Sequence, residues 1–193
     1  MLSDADTFAD AVAALYQARF QSLFRYLDRL TGDPDLAKDL AQDAFVRLYR
    51  RGALPEDPPA WLATVATNLF RDHRRQSRRR AELITEHPTD AAPPGEPPSA
   101  DAGLMVHEAR SQARAALDAL PSRDRRLLLL RHEGYSYREL AHAVGVAESS
   151  VGTLLVRATR MFRDAISAEA LAPSASVNPA PGVRHAGIPR ASD

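Results

Sequence analysis

Apolar residues recur every three or four positions through the first 80 residues of the chain. This spacing is typical of amphipathic helices that each bury one face. It predicts a first helix over about residues 6–30, a second over about 34–51 and a third over about 60–80. Residues 52–59 hold three prolines and a glycine, and they predict a loop between the second and third helices. Three such helices predict a compact N-terminal helical domain, residues 6–80.

The composition changes after residue 80. Residues 81–104 contain five prolines, many small residues and only acidic charges. Such a segment cannot bury enough apolar surface to offset its chain entropy, so we expect a flexible linker. Helical spacing returns over residues 105–168, and residues 169–193 have the composition of a disordered tail. The sequence therefore predicts an all-α fold of two small helical domains joined by a flexible acidic linker.

The second of these domains contains the pattern of a helix-turn-helix. Ser136 and Glu139 have the spacing of a capping box at the start of one helix, and Gly145 suits the turn after it. A second helix is predicted from about Glu148. Short hydroxyl and arginine side chains on its outer face could reach base edges and phosphates in a major groove: Ser149, Ser150, Thr153, Arg157 and Arg160. A plain αα-hairpin within a helical bundle is the alternative.

Charge is unevenly distributed along the chain. The formal net charge is zero, yet residues 58–80 carry +5 and residues 81–108 carry −6. The positive segment is dominated by six arginines between Arg71 and Arg80. Arginine donors match phosphate oxygens, so this block is a candidate for binding the backbone of a nucleic acid. The alternative is a solvated basic helix end, where positive charge also suits the helix dipole.

Several classes of protein are disfavoured by what the sequence lacks. There is no cysteine, which excludes disulfides and thiolate metal sites. The acidic first ten residues have no signal-peptide core, and no stretch approaches the roughly 20 apolar residues that span a bilayer. We therefore expect a cytoplasmic protein without membrane insertion. No histidine pair has metal-ligand spacing and no glycine-rich phosphate loop is present, so we expect no metal, no cofactor and no enzymatic activity.

Three passages together resemble one known family. They are residues 35–49 (DLAKDLAQDAFVRLY), residues 61–68 (WLATVATN) with the arginines that follow, and residues 116–163, which include the helix-turn-helix. Their order and separation are similar to those of the extracytoplasmic-function (ECF) group of bacterial RNA polymerase sigma factors, over about residues 10–166. Each passage is weakly specific alone, but the three in this order are strongly so.

The resemblance implies a function, a set of partners and a set of site residues. The chain would bind core RNA polymerase through the β′ clamp helices and the β flap, direct it to promoter DNA, and help to melt the −10 region. An anti-sigma factor would be a further partner. The −10 element would be read by Asn68, Arg71, Arg74, Arg75 and Arg78, and the −35 element by the five outer residues of the second helix of the helix-turn-helix. The clamp would contact Asp39, Gln42, Asp43, Val46 and Arg47.

Some assignments leave alternatives open. A stand-alone helix-turn-helix regulator that binds operator DNA would explain the C-terminal domain, but not the arginine-ended third helix. Asn68 could line a base pocket with the loop of residues 54–59, or instead make a hydrogen bond between helices. Trp61 suits the core better than a stacking platform. Family members commonly carry basic residues where this chain has Gly152 and Leu154; Leu154 could instead pack against a partner such as an anti-sigma protein.

Overall fold

Every regular element of the described residues is an α-helix, which confirms the predicted fold class. The computed structural model describes the backbone of residues 4–85 and 101–171, and the side chains of residues 7–81 and 108–168. The helices are α1 (Asp4–Thr31), α2 (Pro34–Arg51), α3 (Pro58–Thr85), α4 (Asp101–Asp118), α5 (Ser122–His132), α6 (Tyr137–Val144) and α7 (Glu148–Leu171). We call α1–α3 the N-terminal body and α4–α7 the C-terminal body.

The helices extend further than the sequence pattern indicates. Helix α3 continues to Thr85 and α4 begins at Asp101, so both ends of the segment predicted to be a flexible linker are helical. Alanine, glutamate and leucine follow the arginine block and are strong helix formers, which explains the longer α3. Residues 86–100 of that segment lie outside the described residues. So do residues 172–193 of the predicted tail, although α7 runs on to Leu171.

Local capping residues set several of the helix ends. Asp33 is the N-cap of α2, and its Oδ1 accepts hydrogen bonds from the backbone N–H groups of Asp35 and Leu36, at 3.0 Å each. Gly52 ends α2 with φ 72°, a left-handed conformation that favours glycine. The start of α5 has no side-chain cap. Pro121 occupies the cap position without a side-chain bond, and Ser122 is the first helical residue.

The N-terminal body packs α1, α2 and α3 around a core of leucine and alanine. Leu23, Leu27 and Leu48 are fully buried there. One polar pair lies inside this core, where the Tyr26 hydroxyl and Thr67 Oγ1 are 2.8 Å apart. Burial raises the pKa of the Tyr26 hydroxyl, because desolvation disfavours the phenolate. This pair gives α1 and α3 a polar connection that purely apolar packing does not supply.

The apolar core continues from the N-terminal body into the C-terminal body. One cluster of buried residues includes Leu23 of α1, Leu62 of α3, Leu127 and Leu130 of α5, and Leu140 of α6. Helix α6 packs against α3, and α5 packs against α1. The two bodies therefore share a buried interface, which the sequence pattern did not predict.

Candidate nucleic-acid interface

The arginine block forms an exposed basic surface along the second half of α3. The side chains of Arg71, Arg74, Arg75 and Arg78 line one shallow depression, and all four are exposed. Their local contacts are weak: Arg75 lies 3.8 Å from the exposed carboxylate of Asp72, and the guanidinium of Arg74 lies 5.8 Å from the Phe70 ring centroid. The guanidinium groups therefore keep most of their donors free for phosphate oxygens.

Asn68 stands at the start of this basic surface. It lies three, seven and ten positions before Arg71, Arg75 and Arg78, a spacing that places all four residues on one helix face. The side chain of Asn68 is exposed, and it makes no hydrogen bond between helices within the described part of the chain. This arrangement favours a binding role for Asn68 over the structural alternative.

The loop before α3 is anchored by Asp57. Its Oδ1 accepts a hydrogen bond from the Ala60 N–H at 3.1 Å, and its backbone carbonyl accepts one from the Trp61 N–H at 2.9 Å. Trp61 itself is partly buried against the core, with the Arg51 guanidinium 6.0 Å from its ring centroid. Leu54, at the other end of the loop, is 43% exposed. The loop thus exposes the apolar side chain of Leu54, while Asp57 is held in place at the start of α3.

The helix-turn-helix has the geometry that its sequence predicts. The Glu139 N–H donates to Ser136 Oγ at 3.2 Å, and the Ser136 N–H donates to Glu139 Oε2 at 2.6 Å, which completes the capping box of α6. Gly145 makes the turn with φ 72°. Val151 is fully buried and fixes α7 against α6. Local capping and one buried anchor therefore set the angle at which α7 is presented.

The outer face of α7 exposes the residues predicted to read DNA, with one qualification. Ser149, Ser150, Thr153 and Arg160 are exposed, and Arg160 has only a weak contact of 3.9 Å with the exposed Asp164. Arg157 differs, since its Nη2 donates to both carboxylate oxygens of Asp124 at 2.9 and 2.7 Å. Asp124 is fully buried, while the Arg157 side chain is 50% exposed. Arg157 therefore joins α7 to α5 in addition to any contact with DNA.

The two departures from the family pattern both lie close to other parts of the C-terminal body. A Cβ atom at Gly152 would lie 3.8 Å from Tyr137 Cε2, so the glycine stands beside an aromatic ring of α6. Leu154 is partly buried and packs against the protein's own core. Its apolar surface is therefore shared between the chain's own core and the solvent.

A second exposed surface lies on α2. The five residues predicted to contact the polymerase clamp, Asp39, Gln42, Asp43, Val46 and Arg47, are all exposed. Two aromatic residues that the sequence analysis did not single out accompany them: Tyr49, 59% exposed, and Tyr16, 40% exposed. They line an apolar groove with Gln42 and Val46. The sequence offered little indication that Tyr16 would be exposed, because it belongs to the periodic apolar stripe of α1 and such residues are expected to be buried.

Ion pairs connect the two bodies at their buried interface. The carboxylate of Glu133 is only 2% exposed; it accepts a 2.7 Å hydrogen bond from Arg25 Nε, and a further one from Arg29. Arg19 Nη2 donates to Glu139 Oε1 at 2.8 Å, and its guanidinium lies 5.8 Å from the ring centroid of the buried Tyr135. Burial raises the pKa of the Tyr135 hydroxyl. No local pattern indicated these contacts, because the partners lie more than 100 residues apart.

Helix α6 also contacts the loop before α3. Arg138 Nη2 donates to Glu56 Oε1 at 3.0 Å, and His142 Nδ1 lies 3.6 Å from Asp57 Oδ2. The side chain of Asp57 is only 10% exposed as a result of this packing. The loop predicted to help form the base pocket is thus partly covered by the first helix of the helix-turn-helix.

Comparison with protein families gives two matches. Residues 15–80 match Sigma-70 region 2, and residues 110–161 match Sigma-70, region 4. The first match ends at Arg80, just after the basic surface of α3, and the second contains the helix-turn-helix. The two features that the geometry singles out thus lie in two separate matched regions.

Individual relatives agree with these matches. The chain is 30% identical over 162 residues to the ECF RNA polymerase sigma factor SigL of Mycobacterium tuberculosis, a match that covers 80% of this chain and 88% of SigL. It is 34% identical over 148 residues to the ECF RNA polymerase sigma factor SigE of Mycolicibacterium smegmatis, and 34% identical over 160 residues to the ECF RNA polymerase sigma factor BldN of Streptomyces coelicolor. Those two matches cover 74% and 79% of this chain but only 56% and 59% of the relatives' length.

A solved structure supports the fold. The sigma factor RpoE of Bartonella quintana, solved in complex with the anti-sigma factor NepR, aligns with a TM-score of 0.57 at 20% sequence identity. The alignment covers 80% of this chain and 96% of RpoE. Among the described residues, no helix has the length and apolar character that crossing a membrane requires.

Proposed function

Because the chain belongs to the ECF group of RNA polymerase sigma factors, we propose that it binds core RNA polymerase, directs it to specific promoters and helps to melt the −10 region. One observation carries this proposal: a free arginine face on α3 and a fully capped helix-turn-helix occur in one chain. Sigma factors are initiation factors rather than enzymes. In this role the chain itself catalyses no reaction, and RNA synthesis is carried out by the polymerase. It acts in the cytoplasm, with polymerase.

The basic surface of α3 is assigned to the −10 element. Arg71, Arg74, Arg75 and Arg78 hold the phosphates of a separated strand, because guanidinium groups bind phosphate oxygens and release counterions. Asn68, on the same face, offers an amide that hydrogen-bonds the edge of an unstacked base. The segment of residues 54–59, which comprises the loop before α3 and the first two residues of that helix, forms the wall of that base pocket. The domain boundaries follow: residues 6–80 for −10 and clamp binding, and 105–168 for −35 binding.

The exposed face of α7 is assigned to the −35 element. The second helix of a helix-turn-helix enters the major groove with its first turns nearest the bases. Ser149, Ser150 and Thr153 occupy those first turns and contact base edges. Arg157 and Arg160 lie further along and contact phosphates, Arg157 through the donors that Asp124 does not use.

The exposed face of α2 is assigned to the polymerase clamp. It combines charged residues at its sides with the apolar groove between Val46 and Tyr49. Interface centres are enriched in aromatic residues and surrounded by polar ones, which is the arrangement seen here. The β flap and an anti-sigma factor are the other protein partners that we propose. The RpoE relative, solved with the anti-sigma factor NepR, supports the latter.

Run-off transcription tests the proposal. Core RNA polymerase is incubated with this protein and genomic fragments, and the transcript starts are mapped. We expect starts downstream of one shared two-part sequence. A gel shift with duplex DNA and no polymerase separates the proposal from a stand-alone regulator, since a sigma factor binds duplex DNA feebly by itself. Strong unaided binding to duplex DNA, together with no association with core polymerase, would overturn the proposal.

A further inference from the structure

A groove beside the end of α1 is lined by helices of both bodies. Its volume is about 700 Å³, which lies within the roughly 300–1,000 Å³ of small-molecule pockets. The end of α1 and the start of α2 form one side, the second half of α3 forms another, and α4 and the first turn of α5 complete it. The function proposed above uses only two of the lining residues, Arg74 and Arg78.

Four arginines from three helices give this groove its positive charge. They are Arg74 and Arg78 of α3, Arg114 of α4 and Arg125 of α5. Two aspartates also line it, so the formal charge of the lining is +2 when histidine is counted as neutral. The Nε atom of Arg125 is buried and has no hydrogen-bond partner within the described part of the chain. A groove with unused arginine donors favours an anionic ligand, and phosphate groups match guanidinium geometry best.

Arg114 is held at the groove by the end of α1. Its guanidinium donates to the backbone carbonyl of Thr31. Gly32 follows with φ 71°, and a Cβ atom at this position would overlap the guanidinium. The glycine therefore both allows the left-handed turn and leaves the space that Arg114 occupies. Since a guanidinium has five N–H donors, one contact with a carbonyl leaves others for a ligand.

The groove also has an apolar part. Leu30 is buried, and Leu36 and Phe70 are partly buried. Such a surface suits the face of a nucleoside base, as most ligand pockets combine apolar walls with a few polar groups. His73 and Ser77 follow Phe70 at intervals of three and four residues, so they lie on the same side of α3. They add hydrogen-bonding groups suited to ribose hydroxyls.

This side of α3 differs from the side assigned to DNA. At 3.6 residues per turn, the stripe through Phe70 and Ser77 lies roughly 140° around the helix axis from the stripe that begins at Asn68. Arg74 and Arg78 lie at the border between the two stripes. The groove is therefore a separate surface that shares two arginines with the proposed −10 site.

From these features we propose that the groove binds a nucleoside di- or triphosphate, with the phosphate groups on the arginines and the base against the apolar residues. A bound nucleotide engages Arg74 and Arg78, so it weakens binding of the −10 strand to α3. The nucleotide site stands independently of the proposed function, and only this competition rests on it.

Isothermal titration calorimetry of the full chain with ATP or GTP tests the site, without polymerase or DNA. Ser77→Trp fills the groove without removing a charge and should weaken nucleotide binding at least about tenfold. The matched control is Gln76→Trp, at the next residue of α3, which is exposed and does not line the groove. It should bind as the wild type does. Circular dichroism melting establishes that each variant is folded.

A second pair of variants tests the charge. Arg114→Glu should abolish nucleotide binding, whereas Arg110→Glu, the same change one turn earlier on α4, should not. ATP should also bind more tightly than either adenosine or inorganic triphosphate. No binding of ATP or GTP, or equal binding by the groove variants and their controls, overturns the site. Inorganic triphosphate that binds as tightly as ATP overturns the recognition of a nucleoside.

The competition is measured with a fluorescent single strand that carries the mapped −10 sequence. Saturating ATP should lower the affinity of the wild type for this strand and leave the affinity of the Ser77→Trp variant unchanged. An unchanged wild-type affinity overturns the competition. If strand binding and run-off transcription both fail in all variants, the proposed function fails, while calorimetry still decides whether the groove binds nucleotides.

Discussion

Arg157 and Asp124 form an ion pair that ties α7 to α5, in which the single nitrogen Nη2 donates to both carboxylate oxygens, at 2.9 and 2.7 Å. Asp124 is fully buried, and its other neighbouring cation is Arg123, 3.5 Å away. A buried carboxylate that loses its main partner is costly, because its charge is then poorly solvated. The residue that sequence similarity assigns to DNA thus also has a structural role.

The first prediction separates these two roles. Arg157→Ala should lower the free energy of unfolding by about 2 kcal/mol, less than the loss of a fully buried pair because the Arg157 side chain is half exposed and Arg123 partly compensates. Urea denaturation measures it. Arg160→Ala is the control and should leave stability unchanged while still weakening binding to −35 DNA. Equal stability of the two variants would show that the ion pair is only a surface contact.

The second prediction concerns the basic surface of α3. Arg74→Glu/Arg75→Glu should abolish open complexes, detected by permanganate reactivity of unpaired thymines, while core polymerase binding is retained. Each lost phosphate contact should also reduce the slope of log affinity against log salt for a single strand by about 0.7. The control is the reversal of Arg79 and Arg80, which lie outside the proposed site. If both double variants lost open complexes equally, general charge rather than this face would be responsible.

The third prediction concerns the groove on α2. Val46→Asp places a charge in the apolar groove beside Tyr49 and should weaken binding to core polymerase about tenfold or more, because that charge is desolvated on docking. Fluorescence anisotropy of labelled protein titrated with core enzyme measures the affinity. Lys38→Asp, an exposed change on the same helix outside the groove, is the control. Unchanged affinity of the Val46 variant would place the clamp contact elsewhere.

Local sequence signals predicted the helices and the exposed sites well. Asp33 at the start of α2 and the Ser136–Glu139 capping box form hydrogen bonds with groups only a few residues away in the chain. Their capping roles can therefore be predicted from the sequence. Contacts between distant segments could not be read in this way. Glu133 gives no local sign that it will be buried against α1, and Leu154 gave none that it packs on the chain's own core. Such outcomes depend on which helices meet, and periodicity within one helix does not encode that.

The last prediction concerns Gly152 in the first turns of α7. Its φ angle is in the ordinary helical range, and a Cβ atom would make only an ordinary van der Waals contact of 3.8 Å with Tyr137. Gly152→Ala should therefore raise the free energy of unfolding by about 0.5–1 kcal/mol, since alanine loses less backbone entropy in a helix. Gly145→Ala is the opposite case, because φ there is 72° and the substitution should destabilise the turn. Urea denaturation of both variants measures whether each substitution raises or lowers the free energy of unfolding. Gly152→Arg, which restores a basic residue at this position, should in addition tighten binding to −35 duplexes. A destabilised Gly152→Ala protein would instead show that the close approach of Tyr137 requires glycine.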